Sequence, residues 1–498
     1  MAYATLDRMS EDRPAAAPDR PNPPAMDADE LRRRTRGRLI RRSERPIRGG
    51  AVDSRRVRPG ELFVALAGER TDGHRFLRAA ADAGAAALLV SREPAPDELA
   101  ALGDLSVLLV PDTLRAFHAI AAGWRARFTP LVVGITGSIA KTSTKEAVAA
   151  VLSSRLRTLR SEGNLNNEIG LPLTILELGP EHEAAVLEMG MYVGGEIADL
   201  ARISRPRIGV VTAVQGVHLS RIGSLDAIEA AKAELVEALP PDGTAVLNAD
   251  DPRVLGMAGR TAARALTYGF SATADVGAES VRGAGLRGMR FVLRATAGGR
   301  AVRRPVSIPT LGRLSVHNAL AAAAVGLAAG LGPESIETGL AGGWSAPHRA
   351  QVVAAAGVTI LDDTYNASPG SVVAALDLLA GLPGRRIAVL GEMLELGDAA
   401  PAGHRDVGIA AAATVDLLIV VGEGAAGIAS GAREGGLDPS RILVVDDRDS
   451  ALGALRARLA VGDVVLVKGS RGVALEALVE ALVAERAAAV DPDGQPRP

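Results

Sequence analysis

Short apolar runs alternate with amphipathic helical stretches along most of the chain from Thr129 onward. The runs "PLVVGIT", "AAVLEMG", "RIGVVTAV" and "GTAVLNAD" come first, and "VTILDDTYN", "RRIAVLGEM", "VDLLIVVGEG" and "GDVVLVKGS" follow after a hairpin-like segment. Strands of a parallel sheet that helices cover on both faces are apolar throughout, as these runs are. The sequence therefore predicts an α/β fold with two successive, mostly parallel sheets in this part of the chain.

The length of 498 residues exceeds what one hydrophobic core usually serves, so we expect several domains. A compact mixed segment precedes the alternating region, and the stretch "GGWSAPHRAQ" interrupts it. The first residues are rich in Pro, Asp and Arg and have no apolar period, which is typical of disorder. The predicted division is a disordered or basic extension over 1–36, three domains over 37–127, 128–343 and 344–489, and a disordered tail over 490–498.

Charge and composition exclude several classes of protein. Acidic and basic residues nearly cancel, at 58 and 56, and neither is concentrated in the folded part of the chain, so we expect no nucleic-acid partner. The absence of cysteine excludes disulfides, thiolate metal sites and a cysteine nucleophile. Because there is neither a run of about 18 apolar residues nor a signal-peptide pattern, we expect no membrane insertion and a cytoplasmic location.

The segment "GITGSIAKTSTKE" resembles a phosphate-binding loop. A predicted strand ends at Thr136 and a predicted helix begins near Lys141, so backbone N–H groups, a lysine and the Thr142 hydroxyl would face an anion and its magnesium. The alternative is an ordinary strand-to-helix connection. Ala140 replaces the usual glycine, which is tolerable at negative φ and costly at positive φ. The residues predicted to bind phosphate are Gly134, Thr136, Gly137, Ser138, Ile139, Ala140, Lys141, Thr142 and Ser143.

Two further residues are candidates for a metal site beside this loop. Phosphoryl transfer needs an acid that holds the metal, commonly at the end of a neighbouring strand. Glu188 closes the apolar run "AAVLE", and His218 follows the next predicted strand. For His218 alone, a surface or core histidine is the alternative.

A second motif points elsewhere. The run "LLIVVGEGAAG" contains GxGxxG after a predicted strand, and Asp446 follows about twenty residues on, as in dinucleotide-binding proteins. This pattern favours an NAD-dependent oxidoreductase. The alternative is a glycine-rich strand-to-helix turn, since the motif lies in the middle of its domain and not at the first strand.

Several ordered motifs together resemble the Mur ligase family. They include "GITGSIAKTSTKE", "SEGNLNNEIGLPLTILEL", "GVHLSRIGSLDAIEAAKAEL", "LDDTYNASPGSV" and "GDVVLVKGSRG", and the similarity spans about residues 49–488. The resemblance implies ATP-dependent amide-bond formation in peptidoglycan precursor synthesis, with ATP and Mg²⁺. The substrates that it implies are UDP-N-acetylmuramoyl-tripeptide and D-alanyl-D-alanine. It also implies a UDP-substrate-binding domain, a central ATP-binding P-loop domain and a Rossmann-like C-terminal ligase domain, in a chain that is a monomer.

The resemblance also implies roles for individual residues. Those with catalytic roles would be Lys141, Glu188, His218 and Lys232, of which Lys232 corresponds to a carbamylated lysine of these ligases. The metal ligands would be Thr142, Glu188, His218 and carbamylated Lys232. Nucleotide contacts would come from Asn248, Asn318, Arg349 and Asp363. Substrate contacts would come from Asp53, Ser54, Asn164, Asn166, Asn167, Asn366, Lys468 and Arg471.

The chain departs from the family pattern at a few nucleotide-facing positions. Ala140, Leu314 and Ser315 replace the usual residues, and the usual "GR" reads His348 and Arg349. These departures favour, as an alternative, a catalytically weakened relative that only binds a nucleotide sugar.

Overall fold

The computed structural model describes residues 24–68, 71–216, 223–297 and 300–488, which form three consecutive units that each contain one sheet. The predicted α/β class is confirmed. Within the described residues, no helix combines the length and apolarity that crossing a bilayer requires. His218 and the predicted tail lie outside the described residues.

The first unit is a five-stranded sheet with strand order β1-β5-β4-β3-β2, in which only β1 runs antiparallel to its neighbour. Its strands are β1 (Arg38–Arg41), β2 (Gly50–Ala51), β3 (Leu62–Val64), β4 (Ala87–Val90) and β5 (Ser106–Leu109). Its helices are α1 (Ala28–Thr35), α2 (Leu77–Asp82), α3 (Pro96–Ala101) and α4 (Thr113–Arg125).

The prediction of a disordered or basic extension through residue 36 is wrong for its last residues. Asp27 caps α1, because its carboxylate accepts a hydrogen bond from the Glu30 N–H at 2.6 Å. Leu31 is only 1% exposed, and Met26 exchanges two backbone hydrogen bonds of 2.9 Å with Ile47. The apolar residues of this segment are therefore part of the core, although its composition is dominated by arginine.

The second unit is a nine-stranded sheet with the order β14-β13-β12-β11-β10-β9-β6-β8-β7. Its strands are β6 (Leu131–Thr136), β7 (Thr158–Arg160), β8 (Ala184–Glu188), β9 (Ile208–Val211), β10 (Thr244–Asn248), β11 (Arg264–Gly269), β12 (Val276–Gly283), β13 (Met289–Ala297) and β14 (Arg300–Ile308). Its helices are α5 (Lys141–Ser153), α6 (Gly170–Leu176), α7 (Glu196–Ser204), α8 (Leu225–Glu237), α9 (Pro252–Gly256), α10 (Arg313–Ala328) and α11 (Pro333–Ala341). The strands from β7 to β12 are parallel, and β13 and β14 form the predicted hairpin.

The third unit is a six-stranded sheet with the order β15-β16-β20-β17-β18-β19, parallel except for β15. Its strands are β15 (Gln351–Ala355), β16 (Val358–Asp362), β17 (Arg386–Gly391), β18 (Leu417–Val421), β19 (Ile442–Val445) and β20 (Val464–Lys468). Its helices are α12 (Pro369–Ala380), α13 (Ala400–Ala412), α14 (Ala426–Glu434), α15 (Arg448–Arg456) and α16 (Glu476–Ala488).

The joint between the first two units is apolar. One hydrophobic core runs from the first unit into the second and includes Phe117 and Trp124 of α4 together with Leu173 and Leu178. The indole N–H of Trp124 donates a hydrogen bond to the Leu178 carbonyl at 3.0 Å. The third unit has separate cores on the two faces of its sheet, and a large cavity lies between it and the second unit.

Candidate active site

The phosphate-loop candidate connects β6 to α5 at the carboxyl end of the second sheet. Gly137 passes so close to β9 that a Cβ on it would collide with the Thr212 hydroxyl, so this position requires glycine. Ala140 precedes the helix with φ 64° and ψ 2°, which is the left-handed region. Of the two alternatives for Ala140, negative or positive φ, the structure shows the positive one, in which alanine is costly.

Hydrogen bonds from the end of β9 fix the shape of this loop. The Ser138 N–H donates to the Ala213 carbonyl at 2.8 Å, and the Thr212 hydroxyl donates to the Ile139 carbonyl at 2.6 Å. The Lys141 ammonium donates back to the Gly137 carbonyl at 2.7 Å. Burial lowers the pKa of Lys141, nearby Arg349 lowers it further, and Glu188 opposes both effects. The loop is therefore ordered, and its lysine is held in a desolvated position that favours binding of an anion.

Glu188 ends β8 beside the loop and is 1% exposed. Its Oε1 accepts a hydrogen bond from the Asn166 side-chain amide at 2.7 Å. Its Oε2 and the Thr142 hydroxyl are both buried without a hydrogen-bond partner among the described residues. Two unpaired oxygens on adjacent elements fit Mg²⁺, which takes one or two protein oxygens and completes its shell with phosphates and water.

No group of three or more acidic or histidine side chains capable of holding a metal occurs in the part of the chain that the structure describes. A metal at this position would therefore depend on Thr142, Glu188 and the phosphates of a bound nucleotide. His218, the other predicted ligand, lies outside the described residues. The donor set is typical of a magnesium-nucleotide site and not of a metal cage built by the protein alone.

Lys232 of α8 is 3% exposed and lines a cavity of about 90 Å³ together with Lys141. Burial lowers its pKa well below the usual range, and the nearby Lys141 charge adds to the effect. Asn167 and Glu168 also line this cavity. A lowered pKa favours the neutral amine, which is the form that reacts with CO₂, so the surroundings of Lys232 are compatible with the predicted carbamylation.

Two arginines of the third unit meet one aromatic ring. The Arg349 guanidinium lies 4.0 Å and the Arg471 guanidinium 5.1 Å from the centre of the Tyr365 ring. The negative face of an aromatic ring attracts such cations, which allows two like charges to approach each other. Burial raises the pKa of Tyr365, so its hydroxyl stays protonated. Arg349 and Tyr365 line the large cavity together with Lys141, so this part of the cluster faces the phosphate loop.

Lys468, which was predicted to contact substrate, lines the large cavity between the second and third units. It is 3% exposed, and its ammonium contacts the Asp363 carboxylate at 2.6 Å and the Asn366 carbonyl at 2.9 Å. These partners use its charge to hold the loop after β16. Lys468 therefore lines the cavity while it positions Asp363 and Asn366, whereas Arg471 is not among the residues that line it and reaches it only through the Tyr365 ring.

Asn248 is the last residue of β10, and Asn318 lies in the first turns of α10. The amide of Asn248 donates to the Thr212 carbonyl at 2.8 Å, and its oxygen lies 3.1 Å from His317 Nε2. The oxygen of Asn318 accepts a hydrogen bond from the Thr144 hydroxyl at 3.1 Å. Asn248 therefore supports the end of β9, and only Asn318 lines the large cavity.

Other predicted residues fall in a smaller cavity between the first two units. Asp53 lines it with Leu165 and Leu173, and its carboxylate accepts a hydrogen bond from the Arg55 N–H at 3.0 Å. The guanidinium of Arg55 lowers the pKa of Asp53. Ser54 follows Asp53 as the first residue of a short 3₁₀ helix. This cavity is separated from the phosphate loop by the segment that carries Asn164 and Asn166.

The GxGxxG motif of the third unit has no room for a pyrophosphate at its second glycine. Gly422 follows β18 with φ 90°, as a tight turn requires. A Cβ on Gly424 would collide with the Glu392 carboxylate, which occupies the space above it. A carboxylate in that place repels an anionic dinucleotide. The glycines are explained by packing of the loop after β17 against this turn.

The large cavity between the second and third units has a volume of about 510 Å³ and brings together most of the predicted site residues. Those that line it are Ser138, Ile139, Ala140, Lys141, Thr142, Ser143, Asn164, Asn166, Glu188, Asn318, Arg349, Asp363, Asn366 and Lys468.

Gly134, by contrast, is buried inside β6, where Leu235 and Met189 leave no space for a side chain. Thr136 is fully buried at the end of the same strand. The departing residue Leu314 is exposed in this cavity, and Ser315 donates its hydroxyl to the Gly312 carbonyl at 2.8 Å.

Sequence reasoning missed three residues of this region. Tyr365 lies inside the motif "LDDTYNASPG", in which only the neighbouring Asp363 and Asn366 had predicted roles. His317 lies 3.1 Å from the Asn248 oxygen and tilts against the ring of Tyr268, which no spacing rule predicts. Lys145 is completely buried one turn after Lys141, and a lysine on the buried face of a helix was the available signal.

Family models match three parts of the chain in the expected order. The description "Mur ligase family, catalytic domain" matches residues 46–125, "Mur ligase middle domain" matches 135–326, and "Mur ligase, glutamate ligase domain" matches 348–471. Among solved structures, a MurF crystal structure from Acinetobacter baumannii has a TM-score of 0.83 at 29% identity, covering 93% of this chain and 99% of that one. The MurF ligase of Thermotoga maritima in complex with ADP has a TM-score of 0.77 at 29% identity, covering 89% and 98%.

Curated relatives match over most of their length. The UDP-N-acetylmuramoyl-tripeptide--D-alanyl-D-alanine ligase of Synechocystis sp. is 39% identical over 446 residues, which are 88% of this chain and 92% of the relative. The ligase of the same name from Escherichia coli is also 39% identical, over 86% and 92%. Three family models match consecutive parts of the chain, and these relatives are 39% identical to it over most of their length. The chain therefore belongs to the Mur ligase family, in the branch of the UDP-N-acetylmuramoyl-tripeptide--D-alanyl-D-alanine ligases.

Proposed function

We propose that the chain is an ATP-dependent ligase that joins D-alanyl-D-alanine to UDP-N-acetylmuramoyl-tripeptide in peptidoglycan precursor synthesis. The named relatives support the substrates, and the ADP complex of the Thermotoga maritima neighbour supports ATP as the energy source. The observation that carries the proposal is the cavity of about 510 Å³ between the second and third units. It brings a phosphate loop and a strand-end carboxylate together with two side chains from more than 150 residues further along, Arg349 and Asp363.

The phosphate loop and Lys141 would hold the ATP phosphates, because loop N–H groups, the start of α5 and a desolvated ammonium converge there. Thr142 and Glu188 would hold Mg²⁺ with the phosphate oxygens, and His218 and Lys232 are kept as proposed further ligands. When bound, Mg²⁺ supplies neutralisation of the charge on the transferring phosphoryl group. Asn318 and Arg349 would approach the nucleotide from the two sides of the cavity.

The reaction has two steps. A carboxylate of the tripeptide substrate attacks the γ-phosphorus of ATP, so that an acyl phosphate forms and ADP leaves. The dipeptide amine then attacks the acyl carbon, and phosphate leaves as the amide bond forms. Since no side chain is needed as a covalent nucleophile, the residues act by positioning and by electrostatic stabilisation. Arg349, which packs on Tyr365, would stabilise negative charge that develops on the phosphoryl side of the cavity.

The nucleotide-sugar end of the substrate would bind between the first and second units. Asp53 lines that smaller cavity and Ser54 follows it in the chain, and Asn164, Asn166 and Asn167 lie on the segment between the cavity and the phosphate loop. Asn366 and Arg471 would face the incoming dipeptide, and Lys468 would act by holding Asn366. We retain a first domain that ends at residue 127, now including α1, the domain limits 128–343 and 344–489, a monomeric state and a cytoplasmic location as parts of the proposal.

The test is an amide-formation assay. Purified protein, UDP-N-acetylmuramoyl-tripeptide, D-alanyl-D-alanine, ATP and MgCl₂ are combined, and ADP and the product peptide are measured together. With all substrates present we expect ADP and product in equal amounts. Without the nucleotide-sugar substrate, ADP should not exceed a slow background, and without the dipeptide ADP release should stop after a single turnover. Binding of the nucleotide sugar without ADP release at any magnesium concentration would show instead a non-catalytic relative.

A further inference from the structure

The side chain of Lys145 is completely buried, and the proposed mechanism does not use it. Its ammonium lies 2.6 Å from the Ser161 carbonyl, 3.2 Å from the Gly163 carbonyl and 2.9 Å from a Glu146 carboxylate oxygen. The ammonium therefore donates two hydrogen bonds to backbone carbonyls, and its charge is paired with the Glu146 carboxylate. Burial of a charge is costly unless it is paired in this way, so the side chain is fixed in one place.

The two carbonyls belong to the start of the segment 161–167, which carries the predicted substrate residues. Ser161 is anchored on β8, since its N–H donates to the Val186 carbonyl at 3.0 Å. Its hydroxyl accepts a hydrogen bond from the Glu188 N–H at 3.3 Å. Lys145 therefore connects the phosphate-loop helix to the backbone of the segment at the point where that segment contacts Glu188.

The far end of the same segment also contacts Glu188. The Asn166 carbonyl accepts a hydrogen bond from the Gly190 N–H at 2.7 Å, and the Asn166 amide donates to Glu188 Oε1 at 2.7 Å. This hydrogen bond occupies one carboxylate oxygen and leaves Oε2 buried and unpaired. The position of the segment thus decides which oxygen of Glu188 stays available.

We propose that Lys145 is a positioning residue for magnesium-dependent nucleotide binding. By tying Ser161 and Gly163 to α5, it keeps Asn166 on Oε1 of Glu188 and keeps Oε2 directed to the metal that Thr142 shares. One helix then carries the phosphate-binding lysine, the metal-binding hydroxyl and, one turn later, the residue that fixes the opposite ligand. This inference rests on the proposed function, because it assigns a role within the same site.

The variant Lys145→Met removes the charge, its two hydrogen bonds and its ion pair with Glu146 but keeps most of the unbranched length of the side chain. Arg160→Met is the matched control, since Arg160 is 55% exposed and contacts the other oxygen of Glu146 at 2.9 Å without touching the two carbonyls. Calorimetry measures ATP affinity once with MgCl₂ and once with EDTA. The quantity compared is the gain in affinity that magnesium provides.

We expect the gain in ATP affinity from magnesium to be about tenfold smaller in Lys145→Met than in wild type, which is the lower end of the range for residues that orient a metal ligand. The ATP affinity in EDTA should be unchanged. Arg160→Met should retain the wild-type gain. An unchanged gain in folded Lys145→Met would overturn the proposal, and so would an equal loss with and without magnesium, which indicates general damage to the loop.

Lys145→Gln is a second variant, because its amide keeps two N–H donors on a shorter side chain and should give an intermediate gain. Loss of the folded state in both variants, judged by circular dichroism, would assign Lys145 to stability alone and overturn the proposal. The measurement needs only ATP and magnesium. A wild-type chain that binds Mg-ATP but forms no amide would therefore contradict the proposed function without contradicting this inference, and a wild-type chain without any magnesium gain would contradict both.

Discussion

The two joints between the three units differ in what fills them. At the first joint, Trp124 is 2% exposed within a core shared by two units, and buried Arg125 donates to the Ser204 carbonyl at 2.8 Å. At the second joint, charged side chains such as Lys141 and Arg349 line a cavity of about 510 Å³. Units that share an apolar core move together, whereas units that meet through a polar interface are free to move. We therefore infer that the third unit closes on a rigid body made of the first two.

Binding and catalysis are proposed at the second joint, so the variant with the largest expected effect lies there. Lys141→Ala should lower ADP release by about 10³-fold, because a preorganised charge on the transferring phosphoryl group is lost. The free energy of unfolding should not fall, since the variant also removes a desolvated cation. Steady-state kinetics measures ADP release, and urea unfolding measures the free energy of unfolding. Near-normal turnover in the folded variant would contradict the assignment of the phosphate loop.

The chain's two tryptophans provide a matched test of the two joints. Trp124→Ala should lower the free energy of unfolding by about 3–5 kcal/mol, because it leaves a cavity in a shared core and an unpaired Leu178 carbonyl. Trp344 lines the large cavity and is partly exposed, so Trp344→Ala should cost only about 1–2 kcal/mol. Urea unfolding measures both. Equal losses would show that the joints are equally well packed and would remove the physical basis of the comparison.

Tyr365→Ala should affect turnover more than stability. Without the ring, Arg349 and Arg471 lose the surface that holds their guanidinium groups together, and we expect about tenfold slower ADP release. Tyr365→Phe keeps the ring and should stay within about twofold of wild type on the same argument. Measurement of kcat for the two variants tests this prediction, and thermal unfolding checks that both are folded. A fall in Tyr365→Phe as large as in Tyr365→Ala would point to the hydroxyl instead.

Closure of the third unit is also testable in solution. Small-angle scattering should show a smaller radius of gyration after addition of ATP, MgCl₂ and the nucleotide-sugar substrate, because the ligands bridge the polar joint. Lys141→Ala, which binds the phosphates poorly, should compact less at the same ligand concentrations. Identical scattering curves for wild type with and without ligands would count against a moving third unit.

The smallest expected effect concerns the phosphate loop itself. Ala140→Gly should raise the free energy of unfolding by about 1 kcal/mol, because glycine adopts positive φ without the penalty that Ala140 carries at φ 64°. Ala150→Gly, inside α5, should lower it by about 1 kcal/mol and serves as the control of opposite sign. Thermal unfolding measures both variants. A strong gain in ATP affinity for Ala140→Gly would show that the loop is distorted in addition to being strained.

The site was predicted from sequence only in part, for reasons that particular residues make clear. Glu188 was found because a carboxylate that ends an apolar strand is costly to bury unless it binds a partner, and the structure places it beside the loop. Its partner Asn166 matched a motif, but the contact that leaves one oxygen free depends on a loop path that no local pattern encodes. Lys468 was expected to contact substrate, but its ion pair with Asp363 could not be read from the sequence. The catalytic and binding roles themselves remain predictions.

The amino-acid sequence by itself determined the α/β class, the order of strands and helices and the position of the phosphate loop, because apolar periodicity and turn residues act locally. Tertiary structure decided the rest. It set Ala140 at positive φ through close approach of the loop to β9, placed Glu392 over the GxGxxG turn, and buried Leu31 in a segment whose composition is basic. It also brought Arg349 within electrostatic reach of Lys141, which lies 208 positions earlier in the sequence. Such contacts depend on how the units pack against one another, and spacing along the sequence does not encode that packing.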